Sequence, residues 1–166
     1  MATTTFTKYE GGGNLSVQTT IDESTGTTDA GKIPSTKADG TLGESLLPAS
    51  VKPVAHAGVC QTTIPSPAFV TIGDGGNLED SGNVSLSRKA EGFVITGGVA
   101  DDPATYYLRG RMTGLTGLTA GKTYYLGAED GGVTDTEPTT GVAQVVGIAV
   151  SATELDVQIG TAVLVG

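Results

Sequence analysis

Glycine and proline interrupt this chain so often that no window of about eleven residues carries apolar positions at helical spacing without one of them inside. Glycine alone accounts for 26 of the 166 residues. A helical bundle is therefore excluded. What remains is short strands separated by glycine turns.

From Val54 onward the pattern supports that reading. In PAFVTIG, Val70 and Ile72 share one face, with Phe69 and Thr71 on the other. NVSLSR alternates Val84, Leu86 and Arg88 with serines, and ELDVQIG alternates Leu155, Val157 and Ile159 with Asp156 and Gln158, both patterns of half-buried strands. GFVITGG reads as a short apolar strand and GDGGNLEDSGN as a turn-rich loop. TYYLRGRM reads as one strand, and the second TYYL, at 123–126, is expected to pack across from the first. VAQVVGIAV is apolar on both faces, which places it centrally in a sheet. The tail TAVLVG is a final strand or a partner contact. Eight or nine such strands over roughly 110 residues predict an all-β domain, a barrel or sandwich, spanning 54–166.

Residues 1–53 differ. They are polar, rich in Thr and Gly, and punctuated by the turn signals DAGK, ADGT and LGES. One short strand around Leu15 and Val17 is the most this stretch predicts, with one helical turn at Leu46-Leu47 stopped by Pro48. Such a segment does not bury enough surface to order alone, so it reads as an extended, mostly irregular arm. Its sparse apolar residues, Phe6, Tyr9, Leu15, Val17, Ile33, Leu42, Leu46 and Leu47, are the candidate contacts with a partner.

Charge narrows the function classes. Nine Lys and Arg against 18 Asp and Glu give a net charge of −9, and only Arg88-Lys89 are adjacent basic residues, so nonspecific nucleic-acid binding is not expected. The start MATTTFTKYEGGG has neither the basic head nor the apolar core of a secretory signal, and no run approaches the ~18 apolar residues of a membrane span. The chain reads as made in a cytoplasm and not membrane-bound.

One stretch raises the question of nucleotide binding. GLTAGKTYYLG, 117–127, spells the Gly-Lys-Thr that ends a phosphate-binding loop. Such a loop needs a glycine five places before the Gly of that triplet, and position 116 is Thr116. It must also open into a helix, whereas Tyr124, Tyr125 and Leu126 are strand formers. Ala120-Gly121 therefore reads as a turn into a strand.

Other chemistry is thinly represented. His56 is the single histidine and Cys60 the single cysteine, which excludes an intrachain disulfide and leaves no set of zinc ligands or thiol-protease partners. Cys60, among small residues, reads as a buried inert thiol. The paired carboxylates Asp22-Glu23, Glu79-Asp80, Asp101-Asp102 and Glu129-Asp130 all lie beside turn residues, where solvated surface is the default. The loop holding Asp74, Asn77, Glu79, Asp80 and Asn83 has oxygens suited to calcium, at spacings unlike an EF-hand. No catalytic residue, cofactor or metal site is expected. Tyr107 and Tyr125 are the aromatic faces a sugar would use.

Residues 91–160 resemble a small β domain of tailed-bacteriophage virion proteins. The residues that carry the resemblance are Gly117-Leu118-Thr119, Gly121, Tyr124-Tyr125-Leu126, Gly131-Gly132, Thr134, Gln144, Val146-Gly147, Ala149, Ser151, Thr153 and Leu155. The segment DAGKIPSTKADGTLGESLLP is similar to a linker that precedes such domains. The resemblance implies a structural protein of the virion, not an enzyme, and carries over no active-site residue. Capsid decoration (cement) proteins and head or tail fibres both use the module. One module behind one short arm fits decoration better than a fibre shaft. The resemblance thus implies a homotrimer on the capsid exterior, with the major capsid protein as the arm's partner. A tail, baseplate or fibre component contacting host-surface glycans is the alternative.

Overall fold

The computed structural model describes residues 5–9, 15–21, 33–37, 42, 44–46, 54–128 and 130–166. The chain divides into two compact units, Met1–Lys52 and Pro53–Gly166. The fold is all-β, and no helix of the described residues is long and apolar enough to cross a membrane.

In the first unit, β1 (Thr5–Tyr9) and β2 (Leu15–Ile21) form an antiparallel pair, in register from Thr5 opposite Thr19 to Tyr9 opposite Leu15. The two-residue β3 (Ile33–Pro34) runs parallel to β2, and the Ser35 N–H donates to the Ile21 carbonyl at 2.8 Å. A 3-10 turn covers Glu44–Leu46. The sequence pattern implies one short strand here, and the described backbone holds three. TFTKY is rich in β-branched and aromatic residues, a strand preference that polar threonines hide from a count of apolar alternation.

The second unit has two layers. The first is a closed barrel of β4 (Ala55–Cys60), β5 (Ala68–Ile72), β6 (Asn77–Asp80), β7 (Gly92–Val94) and β8 (Pro103–Tyr107), in the order β4-β6-β5-β7-β8. The second is a five-stranded sheet built from β9 (Gly110–Thr113), β10 (Thr123–Leu126), β11 (Val133–Thr134), β13 (Val145–Ala149) and β14 (Glu154–Val157), in the order β11-β10-β13-β14-β9. A separate ribbon pairs β12 (Gly141–Ala143) with β15 (Val163–Val165).

Strand alternation sorts the apolar residues into two cores. Ala68, Val70 and Val94 join Cys60, Ile64 and Leu78 in one buried cluster. Phe69 and Phe93 point the other way and pack with Met112, Leu126, Val146 and Leu155 of the second sheet. The expected faces of PAFVTIG are therefore correct, but both are buried, because β5 is covered on each side.

Three expectations about strands are corrected. NVSLSR is not a strand: Val84 and Leu86 are 54% and 45% exposed, and Leu86–Arg88 is a 3-10 turn. The Gly82 N–H closes this loop onto the Arg88 carbonyl at 2.8 Å, and the Arg88 guanidinium binds the Asp80 carboxylate and carbonyl. Conversely, the turn-rich GDGGNLEDSGN contains a barrel strand, β6. Its one apolar residue, Leu78, is fully buried, and its backbone pairs with β4 on one side and β5 on the other. Nor do the two TYYL segments pair. TYYLRGRM breaks at Leu108-Arg109, so β8 lies in the barrel and β9 in the sheet. Tyr107 sits opposite Phe93 and Ala55, and Tyr125 opposite Val145 and Thr134.

Candidate functional site

The Gly-Lys-Thr segment is a turn that feeds a strand. The Lys122 N–H donates to the Thr119 carbonyl at 3.1 Å, with Gly121 at φ +82° in the third turn position, where a side chain would be strained. The Gly121 N–H donates to the Ala149 carbonyl at 2.7 Å, and the Ala149 N–H returns a bond to the Lys122 carbonyl at 2.9 Å. β10 begins at the next residue. A phosphate cradle needs free N–H groups facing an anion at a helix N-terminus. Here those of Gly121 and Lys122 are spent inside the fold, and no helix follows.

The Lys122 ammonium is also engaged, 2.8 Å from the Asp135 carboxylate. Each partner favours the charged form of the other: Asp135 is held below the usual carboxylate range and Lys122 above the usual lysine value. Both side chains are exposed, so solvent screens the pair. Lys122→Ala is expected to leave the thermal midpoint nearly unchanged. Equilibrium dialysis against ATP is expected to show no binding in either protein. ATP binding by the parent that the variant loses would overturn the turn assignment.

The other residues of the 117–155 pattern hold the second sheet together. Gly147 lies opposite Val157 on β14, where a Cβ would collide with the Asp156 carbonyl. Ala149 and Leu155 are buried opposite each other. Ser151 Oγ accepts from the Thr153 N–H at 3.2 Å and shapes the β13–β14 turn. Tyr124 is 5% exposed, and its hydroxyl accepts from the Thr119 N–H at 2.9 Å. Gln144 is buried, donating to the carbonyls of Ala90 at 2.9 Å and Gly160 at 3.1 Å and accepting from the Ala90 N–H at 2.8 Å.

The isolated titratable groups do not converge. His56 stacks on Tyr106 with ring centroids 5.1 Å apart. Cys60 lies four residues further along β4, roughly 13 Å at ~3.3 Å per residue, too far for the two to share a proton or a metal. Cys60 is fully buried; that burial, with the Asp102 carboxylate as a second cause, pushes its thiol up. In the acidic loop, Asp80 is taken by Arg88 and by the Thr62 hydroxyl, which donates at 3.1 Å. Burial raises Glu91, but hydrogen bonding and ion pairing with Lys89 and the Ile72 N–H at 3.0 Å outweigh it, and the carboxyl ends below its usual range. Among the described residues no three His, Cys, Asp or Glu side chains gather closely enough to hold a metal ion. Asp22, Glu23 and Glu129 lie outside the described residues.

The candidate partner residues are placed as follows. Phe6 and Tyr9 lie on β1, Leu15 and Val17 on β2, and Ile33 on β3. Across this small sheet Tyr9 pairs with Leu15, Val17 with Thr7, Phe6 with Gln18 and Ile33 with Thr20. Leu42 is 46% exposed, Leu46 ends the 3-10 turn half-buried, and Leu47 lies outside the described residues. The second unit adds an exposed apolar set that alternation does not single out: Val163 and Leu164 on β15 are 53% and 65% exposed, with Ile148 and Val150 also exposed.

Among the described residues of the second unit are open clefts of about 270–280 Å³, three of them lined by Ile95 and Tyr107, by Leu118 and Tyr124, and by Tyr125 and Val163 respectively. Their volumes lie at the lower end of the roughly 300–1,000 Å³ typical of small-molecule sites, and all three are open. No protein-family model matches the sequence, and no curated protein matches it.

Proposed function

We propose that this chain is a structural virion protein that decorates and stabilises the capsid of a tailed bacteriophage, and that it acts without catalysis or a cofactor. The observation that carries the reading is that the residues resembling a phage virion module have packing and turn-forming roles in an all-β unit. Gly121, Tyr124, Gln144, Gly147 and Leu155 are all used by the fold itself. In this reading the compact unit is the body, and the first unit grips the major capsid protein. Homotrimerisation multiplies weak arm contacts, since the second and third arms dock intramolecularly once the first is bound. Decoration stabilises by linkage, because the protein binds the assembled shell and not its dissociated subunits.

Deleting residues 1–45 is expected to leave a cooperatively melting β protein that no longer saturates capsids, and undecorated shells are expected to rupture at a lower temperature. Truncated protein that still saturates shells would remove the arm from the mechanism, and a monomer in light scattering would remove the trimer. Labelling of tails instead of heads in a virion map would favour a tail, baseplate or fibre component.

A further inference from the structure

The ribbon at the end of the chain combines three features that no role in the fold explains. β15 pairs with β12 along one edge, and no described strand covers its other edge. Its three-residue length is its one protection as a free edge: it has no lysine, proline or bulge, and Val163 and Leu164 stand 53% and 65% exposed. Beside it runs an open groove of about 280 Å³, walled by Tyr125, Val145, Val163 and Val165, with Thr161 and the Glu137 carboxylate among its lining groups. Glu137 makes none of the ion pairs found among the described residues.

We propose that this edge and groove bind an extended segment of a partner protein by strand addition, with aliphatic side chains entering the groove and a Lys or Arg pairing with Glu137. Backbone hydrogen bonds to the free edge supply the grip, and alternate side chains supply selectivity. Charge chooses the occupant. A second β15, with the uncharged sequence Val163-Leu164-Val165, offers Glu137 no cation. A segment that presents a Lys or Arg beside its aliphatic residues supplies the cation that Glu137 lacks. The contact is separate from the arm and does not depend on the decoration reading.

The test uses full-length, isotope-labelled protein and a short capped peptide that presents Val, Lys and Val at alternate positions. Titration to about millimolar peptide is expected to shift the amide resonances of Val163, Leu164 and Val165. Replacing the peptide Lys with Glu is expected to weaken binding about two- to fivefold, the scale of one exposed ion pair. Glu137→Lys, at an exposed position, is expected to keep the parent melting temperature and to reverse that preference. Three results would overturn the proposal: no shift on β15, equal binding of the two peptides, or β15 shifts that follow protein concentration alone and so mark self-association.

Discussion

Val146→Asp is expected to unfold the second unit, or to cost at least about 4 kcal/mol where any folded protein remains. Val146 is fully exposed to its neighbours and not at all to water, with 0% of its surface accessible, inside the cluster that joins barrel and sheet. Its strand, β13, is third of five. The side chain packs among apolar groups including Phe69, Phe93, Met112 and Leu126, where a carboxylate finds no cation. Typical domain stabilities are roughly 5–15 kcal/mol, so a loss of this size removes much of the margin. Ile148→Asp is the control, two positions on but 39% exposed, and is expected to cost about 1 kcal/mol or less. Chemical denaturation followed by circular dichroism compares the two. Equal midpoints would show that β13 does not lie in the core.

The contrast between Val146 and Ile148 also marks how far the sequence could be read. Apolar content on both faces placed VAQVVGIAV centrally, and its second half, β13, is central, while Val142-Ala143 instead lie in β12 of the separate ribbon. Period counting cannot see that the pairing with β10 shifts register between Tyr124 and Tyr125. Tyr124 sits opposite Gly147 and Tyr125 opposite Val145, so Val146 is an extra residue on a bulge. That bulge lets Val146 and Ala149 both be buried while Ile148 faces outward. The errors at NVSLSR and GDGGNLEDSGN have a related cause. A strand covered by paired backbones on both sides needs only one core residue, as Leu78 shows, whereas a few alternating residues arise in a turn held by an arginine, as with Val84 and Leu86. The Gly-Lys-Thr turn was legible because its evidence is local: the glycine spacing and the strand formers that follow. The free edge of β15 was not, since whether TAVLVG is covered depends on topology and not on its own composition.

Gln144→Leu is expected to cost on the order of 3 kcal/mol, although it replaces a polar side chain in a buried place with an apolar one of similar length. Gln144 is 2% exposed, and its amide serves two separate stretches of chain. Its Nε2 donates to the carbonyls of Ala90, before β7 of the barrel, and of Gly160, between β14 and β15, while its Oε1 accepts from the Ala90 N–H. Leucine fills the space and leaves the buried Ala90 N–H and carbonyl unpaired, each orphan costing roughly 1–3 kcal/mol when water cannot reach it. The apolar gain is smaller, because Gln144 already removes that surface from solvent. Gln144→Glu separates hydrogen bonding from volume. The new carboxylate faces two carbonyl oxygens, so the fold favours its protonated form and raises its pKa above the unfolded value of ~4.3. Its penalty is therefore smallest below that value and grows as pH rises through it, until the folded-state carboxyl itself ionises. Denaturant midpoints measured at acidic and neutral pH test this directly. A Gln144→Leu protein as stable as the parent, or a Gln144→Glu penalty that does not grow with pH relative to the parent, would show that this amide is not what ties the barrel to the strands beside it.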